Sequence, residues 1–198
     1  FLKINRDHKT SLHCHPKKKT GFIILDGLAR VQIGIYKKNT KNYKPLSRLV
    51  FRPGLFHSIK SISKNGLYAL EFETPFIKKD LVRFRDDYGR QSKNYEGKRF
   101  TKKIGSNYIK FKKPKLGSKQ KYNFKNLEIS LEVRKNLKNF VKKDDKTTCA
   151  ILDGEIVDDK ARKVISYGEI VKTSTLRILS DMFKIKKPLT ILKVEKKK

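Results

Sequence analysis

All four histidines of this chain, His8, His13, His15 and His57, fall within its first 57 residues. Two of them stand one residue apart in SLHCHPKKKTGFIILDG (residues 11–27). In a β-strand, residues i and i+2 project to the same face. His13 and His15 would therefore aim together while Cys14 turns away toward a core. His57 follows three residues after Gly54 in FRPGLFHSI, on a strand that could return across a barrel. Three imidazoles from two strands suit one divalent first-row metal ion with positions left for water and substrate. H-x-H alone is a weak pattern. H-x-H, a glycine turn twelve residues on, and then P-G-x-x-H is a specific one.

Other side chains could complete a reaction centre. Glu71 and Glu73 share one face of LYALEFE, opposite Tyr68, Leu70 and Phe72. If that face lines an interior, either carboxylate is a base; if it is solvated, both are surface acids. Arg90, at the end of DLVRFRDDYGR, has the planar fork that matches a phosphate or carboxylate. Its alternative is a salt-bridged loop, since Asp80, Asp86 and Asp87 share the stretch.

Short strands must carry these groups. GFIILDGLARVQIGIY is an apolar run, an Asp26-Gly27 turn and an alternating run, the pattern of a hairpin. SRLVFRPGLFHSI is a strand, a Pro53-Gly54 turn and the strand of His57. LYALEFETP is a further strand, closed by Pro75. Regular short strands with glycine turns and no helical period predict an antiparallel barrel or jelly roll.

Net charge is +31, and 39 of the 50 basic residues are Lys. Readers of nucleic acid that use bidentate contacts favour Arg. Codon bias in an AT-rich genome accounts for a Lys-heavy chain also rich in Ile and Asn; attraction of an anionic partner is the functional account. Residues 98–143 hold sixteen Lys or Arg against Glu128 and Glu132, with Tyr108, Phe111, Tyr122 and Phe124 interleaved. That pattern reads as a solvated connector, with base stacking on single strands as its alternative. No apolar run reaches the roughly 18–20 residues of a membrane span. Two distant cysteines make no disulfide framework, so a reducing cytoplasm is expected.

The H-x-H and P-G-x-x-H pair resembles the cupin superfamily. LEFETPFIKKDLVRFRDDYGR (residues 70–90) is similar to the end of the cupin domain of type II phosphomannose isomerases, whose strand leads into a D-[IL]-V-R-[FY]-x-D-x-Y-G-R tail. The first motif of that family also aligns without a gap from Ser11 to Gly27. It places Gln, His and Glu where this chain has His13, His15 and Thr20, and His57 takes the fourth ligand position. The resemblance covers about residues 10–97. It implies a cupin barrel, a metal held by His13, His15 and His57 (Zn, Fe, Ni or Mn), an anionic sugar substrate and a homodimer. Replacing Glu by Thr leaves three neutral imidazoles and the full charge on the metal.

KTGFIILDG (19–27) and KTTCAILDG (146–154) agree at six of nine positions. Each precedes a strand-like stretch, a turn at Gly54 or Gly168, and a terminal apolar strand. The expected architecture is all-β: a cupin barrel over residues 1–97, a basic connector over 98–140, and a degenerate cupin-like half over 141–198, together a bicupin. His13 and His15 align with Phe140 and Lys142, so the second half has no site. The function expected is a metal-dependent cupin acting on a phosphorylated or nucleotide-linked sugar, with Glu71 or Glu73 as base and Arg90 on the anion. The alternatives are an Fe(II)-type oxygenase or lyase, and a non-catalytic binder of nucleic acid or another polyanion.

Overall fold

The computed structural model describes residues 1–90, 109–138, 140 and 147–197. It divides into two compact units, Phe1–Tyr108 and Ile109–Lys198. The expected connector therefore does not stand apart: residues 109–140 belong to the second unit, and 98–108 lie outside the described residues.

The first unit contains β1 (Leu2–Ile4), β2 (Leu12–Cys14), β3 (Lys19–Asp26), β4 (Ala29–Ile33), β5 (Thr40–Tyr43), β6 (Arg48–Phe51), β7 (His57–Ser61), β8 (Leu67–Thr74) and β9 (Val82–Arg85). Two antiparallel sheets form, in the orders β1-β8-β3-β6 and β5-β4-β7-β2-β9. Between them lies one core. Ile4, Phe22, Ile24, Leu49, Phe51, Leu67 and Ala69 come from the first sheet, and Ala29, Val31 and Ile59 from the second. This is the all-β, jelly-roll barrel the strand pattern predicts.

The connection at Asp26-Gly27 differs from the predicted hairpin. β3 pairs with β6 and β8, whereas β4 pairs with β5 and β7. The chain thus turns a corner from one sheet into the other. Gly27 makes the corner with φ +83, and a Cβ there would lie 2.3 Å from the carbonyl oxygen of Gly66. Only glycine permits both that backbone conformation and that approach.

The second unit contains β10 (Lys119–Phe124), β11 (Leu127–Arg134), β12 (Thr148–Val157), β13 (Lys163–Ser166), β14 (Ile170–Lys172), α1 (Thr173–Met182) and β15 (Lys184–Lys196). One sheet runs β10-β11-β15-β12-β13, with β14 also on β12. The order β11-β15-β12-β14 reproduces β1-β8-β3-β6. The agreement extends to single residues. β3 slips register against β8 between Ile24 and Asp26, and β12 slips against β15 between Ile151 and Asp153. Gly154, like Gly27, has positive φ (+88), and its Cβ would lie 2.3 Å from a carbonyl, that of Pro188. Leu46 and Gly168, both at positive φ, donate N–H to the carbonyls of Ile24 and Ile151 at 2.8 and 2.7 Å. The counterpart of Gly168 is therefore Leu46, not Gly54.

The halves part company after that shared sheet. β6 leads through Pro53-Gly54 into β7, but β14 runs directly into α1. Leu176, Leu179 and Phe183, spaced for one helical face, pack into a core with Cys149, Ile151, Ile156, Leu189 and Ile191. Among the described residues the second unit is one sheet with a helix.

Candidate metal centre

β2 and β7 lie side by side with His13 and His57 as register partners. His15 follows the end of β2, and its carbonyl accepts the N–H of Gly54 at 2.8 Å. The Pro53-Gly54 turn is thus tied directly to the H-x-H segment, which brings sequence-distant histidines together. Ring centroids of His13 lie 5.0 Å from His15 and 4.6 Å from His57. One ligand-capable nitrogen from each ring falls within 4.8 Å of the other two.

The tautomers follow from the hydrogen bonds. Nδ1 of His13, His15 and His57 contacts the backbone carbonyls of Ser11, Asp80 and Leu55 at 2.8, 2.5 and 3.0 Å. A carbonyl can only accept, so each Nδ1 carries the proton and donates. Each Nε2 is left with a lone pair, the form a metal ligand requires. Nε2 of His57 is fully buried and has no hydrogen-bond partner. The ring of Phe51 stacks on His57 with centroids 3.9 Å apart, walling it on one side.

Electrostatics keep these rings neutral. Burial holds His13 well below the ordinary imidazole range, and the neighbouring His57 ring adds to it. Burial likewise lowers His15, against the opposing hydrogen bond to Asp80. His57 is lowered to about 4, chiefly by burial. Neutral nitrogens with aimed lone pairs and an unsatisfied buried Nε2 fit a divalent cation. His13, His15 and His57 could hold it.

A cavity of about 280 Å³ opens on this cluster. Its lining includes Lys18, Glu71, Glu73, Phe76, Lys78 and Arg83. Both glutamates thus stand on the cavity face of β8. Leu67 and Ala69 continue the same alternation into the core, so the inner face of β8 turns from apolar to acidic where the barrel opens. Glu73 is ion-paired with Lys18, a lysine 3% exposed.

Arg90 is placed differently from its expected role. Its guanidinium pairs with Asp86 at 2.8 Å, its own N–H donates to the same carboxylate at 2.7 Å, and it is absent from the cavity lining. An i,i+4 carboxylate captured it. Arg83 occupies the cavity instead, as the register partner of His13 on β9.

Sequence reasoning missed Asp80. Its carboxylate accepts the N–H of Lys17 at 2.9 Å and of Lys18 at 2.8 Å, while its carbonyl orients His15. The signal was available, since Asp80 opens the DLVRFRDDYGR tail. His8 lies apart from the cluster: its Nδ1 donates to the carbonyl of Arg6, and its ring stacks on Tyr88. Cys14 is buried, as expected.

No protein-family model matches the chain, and no curated protein does. Solved structures similar to part of it include a protein from Bacillus halodurans, with 16% identity, a TM-score of 0.36, and coverage of 38% of this chain and 60% of that one. A protein with a double-stranded β-helix domain from Klebsiella pneumoniae gives 15%, 0.35, 37% and 58% for the same measures. A sugar phosphate isomerase from a cupin superfamily, from Silicibacter pomeroyi, gives 13%, 0.34, 37% and 47%. This chain therefore spans only about half the length of the structures it resembles. No helix among the described residues is long and apolar enough to cross a membrane.

Proposed function

We propose that the first unit is a divalent-metal enzyme of cupin type that acts on a phosphorylated or nucleotide-linked sugar, in an aldose–ketose isomerisation. One observation carries this reading: three imidazoles, each bonded to a backbone carbonyl, bring one ligand-capable nitrogen apiece within 4.8 Å of one another beside a cavity they all line. A bound divalent ion would supply Lewis acidity toward a carbonyl oxygen.

The chain's own groups supply the rest. Isomerisation moves a proton between neighbouring carbons and needs a base within reach. Glu71 and Glu73 are the carboxylates on the cavity. Arg83 and Lys78 bring positive charge to the same cavity and suit an anionic substrate group. Phe76, 70% exposed at the rim, offers an apolar face to a sugar ring.

Elemental analysis of untagged protein tests the reading. The parent should carry a divalent metal, and His13→Ala, His15→Ala and His57→Ala should lose it and lose turnover of sugar phosphates. Equal metal content in the parent and all three variants would overturn it. Oxygen consumption by an Fe(II)-loaded parent, without isomerase turnover, would replace the isomerase with oxygenase chemistry.

A further inference from the structure

Thr20 is 1% exposed, and its Oγ1 has no hydrogen-bond partner. It sits on the inner face of β3, two residues before the core residue Phe22. Directly across the β3–β8 ladder its register partner is Glu73. Residues paired in this way share a face, with Cβ atoms about 4.5–5.5 Å apart. A carboxylate rooted at position 73 therefore starts from nearly the same place as one rooted at position 20.

Glu73 lines the cavity together with His13, His15 and His57, its carboxylate lying outside the 4.8 Å group of the three histidines, so a metal would draw it in from the wall. Its ion pair with the almost fully buried Lys18 holds it in that wall. Burying the Lys18 ammonium is costly beside a well-packed apolar residue, so stability alone gives little reason to place this half-buried pair here. A carboxylate has acceptor capacity for an ammonium and a metal ion together.

We propose that Glu73 is the carboxylate ligand of the His13–His15–His57 centre, supplied from β8 because Thr20 on β3 cannot supply one. The assignment rests on the metal-centre reading above. It divides the two glutamates: Glu73 serves the metal, and Glu71 remains as the base. It also lowers the net charge at the centre from +2 to +1, which moderates the Lewis acidity expected of three neutral imidazoles.

The test is titration of the metal-free full chain with Zn²⁺ against a chromophoric chelator, and with Co²⁺ followed by its visible absorption. Glu73→Gln should weaken Zn²⁺ binding roughly tenfold or more and change the Co²⁺ spectrum, with the far-ultraviolet circular dichroism of the parent retained. Adding Thr20→Glu to Glu73→Gln should recover affinity by returning a carboxylate from β3. Parent-like affinity and spectrum in Glu73→Gln would overturn the assignment of Glu73 alone. A parent that binds neither ion would overturn the metal centre and the assignment with it.

Discussion

Asp80 holds His15 twice: its backbone carbonyl accepts the Nδ1 proton of the ring, and its carboxylate gathers the N–H groups of Lys17 and Lys18 just beyond. Removing the carboxylate keeps the carbonyl that His15 bonds but frees the Lys17–Lys18 segment beside it. Asp80→Ala should weaken metal affinity several-fold, less than the about 10–100-fold that follows loss of a ligand's own hydrogen-bond partner. Calorimetric titration with Zn²⁺ measures this, and unchanged affinity would make Asp80 a loop cap only.

His57 is expected to cost stability in exchange for its role. Burying Nε2 without a partner disfavours the fold by roughly 1–3 kcal/mol. His57→Phe would continue the stack on Phe51 without that unsatisfied atom, although it gives up the bond to the Leu55 carbonyl. The metal-free variant should therefore unfold at an equal or higher denaturant concentration than the parent. Added metal should no longer stabilise it. A marked loss of metal-free stability would refute this account.

Acid should dissolve the Asp86–Arg90 loop. Burial pushes the Asp86 carboxyl up, but hydrogen bonds from the Arg90 side chain and backbone outweigh it and leave the group below the ordinary carboxylate range. A depressed folded value gives stability that is present above the unfolded value and lost as pH falls through the folded one. Asp86→Asn should thus be less stable than the parent at pH 7, with the gap closing below about pH 4. A pH-independent gap in melting temperature would contradict the linkage.

Gly27 and Gly154 should behave as a matched pair. Alanine at either meets both the left-handed conformation, about 1–2 kcal/mol for an L-residue, and a carbonyl oxygen at 2.3 Å. Each substitution should destabilise its own unit by more than the conformational cost alone. Gly54→Ala, whose Cβ would meet nothing within 4 Å, should show only that cost. Denaturant midpoints for the three variants would rank them, and equal losses would show that the close approach is immaterial.

The clustering of the three histidines was legible because residue type and spacing single them out, and strand geometry converts spacing directly into direction. The Asp26-Gly27 corner was not. A turn dipeptide marks a reversal, but which sheet receives the chain depends on β6, β7 and β8, which come later. Arg90 had two readings for a related reason: two partners suited one guanidinium, and the structure shows it paired with the nearer carboxylate, that of Asp86. The helix Thr173–Met182 was read as part of a strand region because the repeat led the alignment, and the repeat ends where β14 does. Glu71 and Glu73 were correctly paired on one face, while the identity of that face required the apolar residues Leu67 and Ala69 beneath them.

The departure of the second unit from the shared sheet pattern bears on stoichiometry. The second unit keeps four strands of the pattern and substitutes a helix where the first unit carries the strand of His57. His13, His15 and His57 are the one such group of potential ligands among the described residues. A chain of 23.1 kDa built this way should saturate at a single equivalent of metal. The ratio of ions to halves, one to two, would separate this molecule from a double barrel with both sites intact.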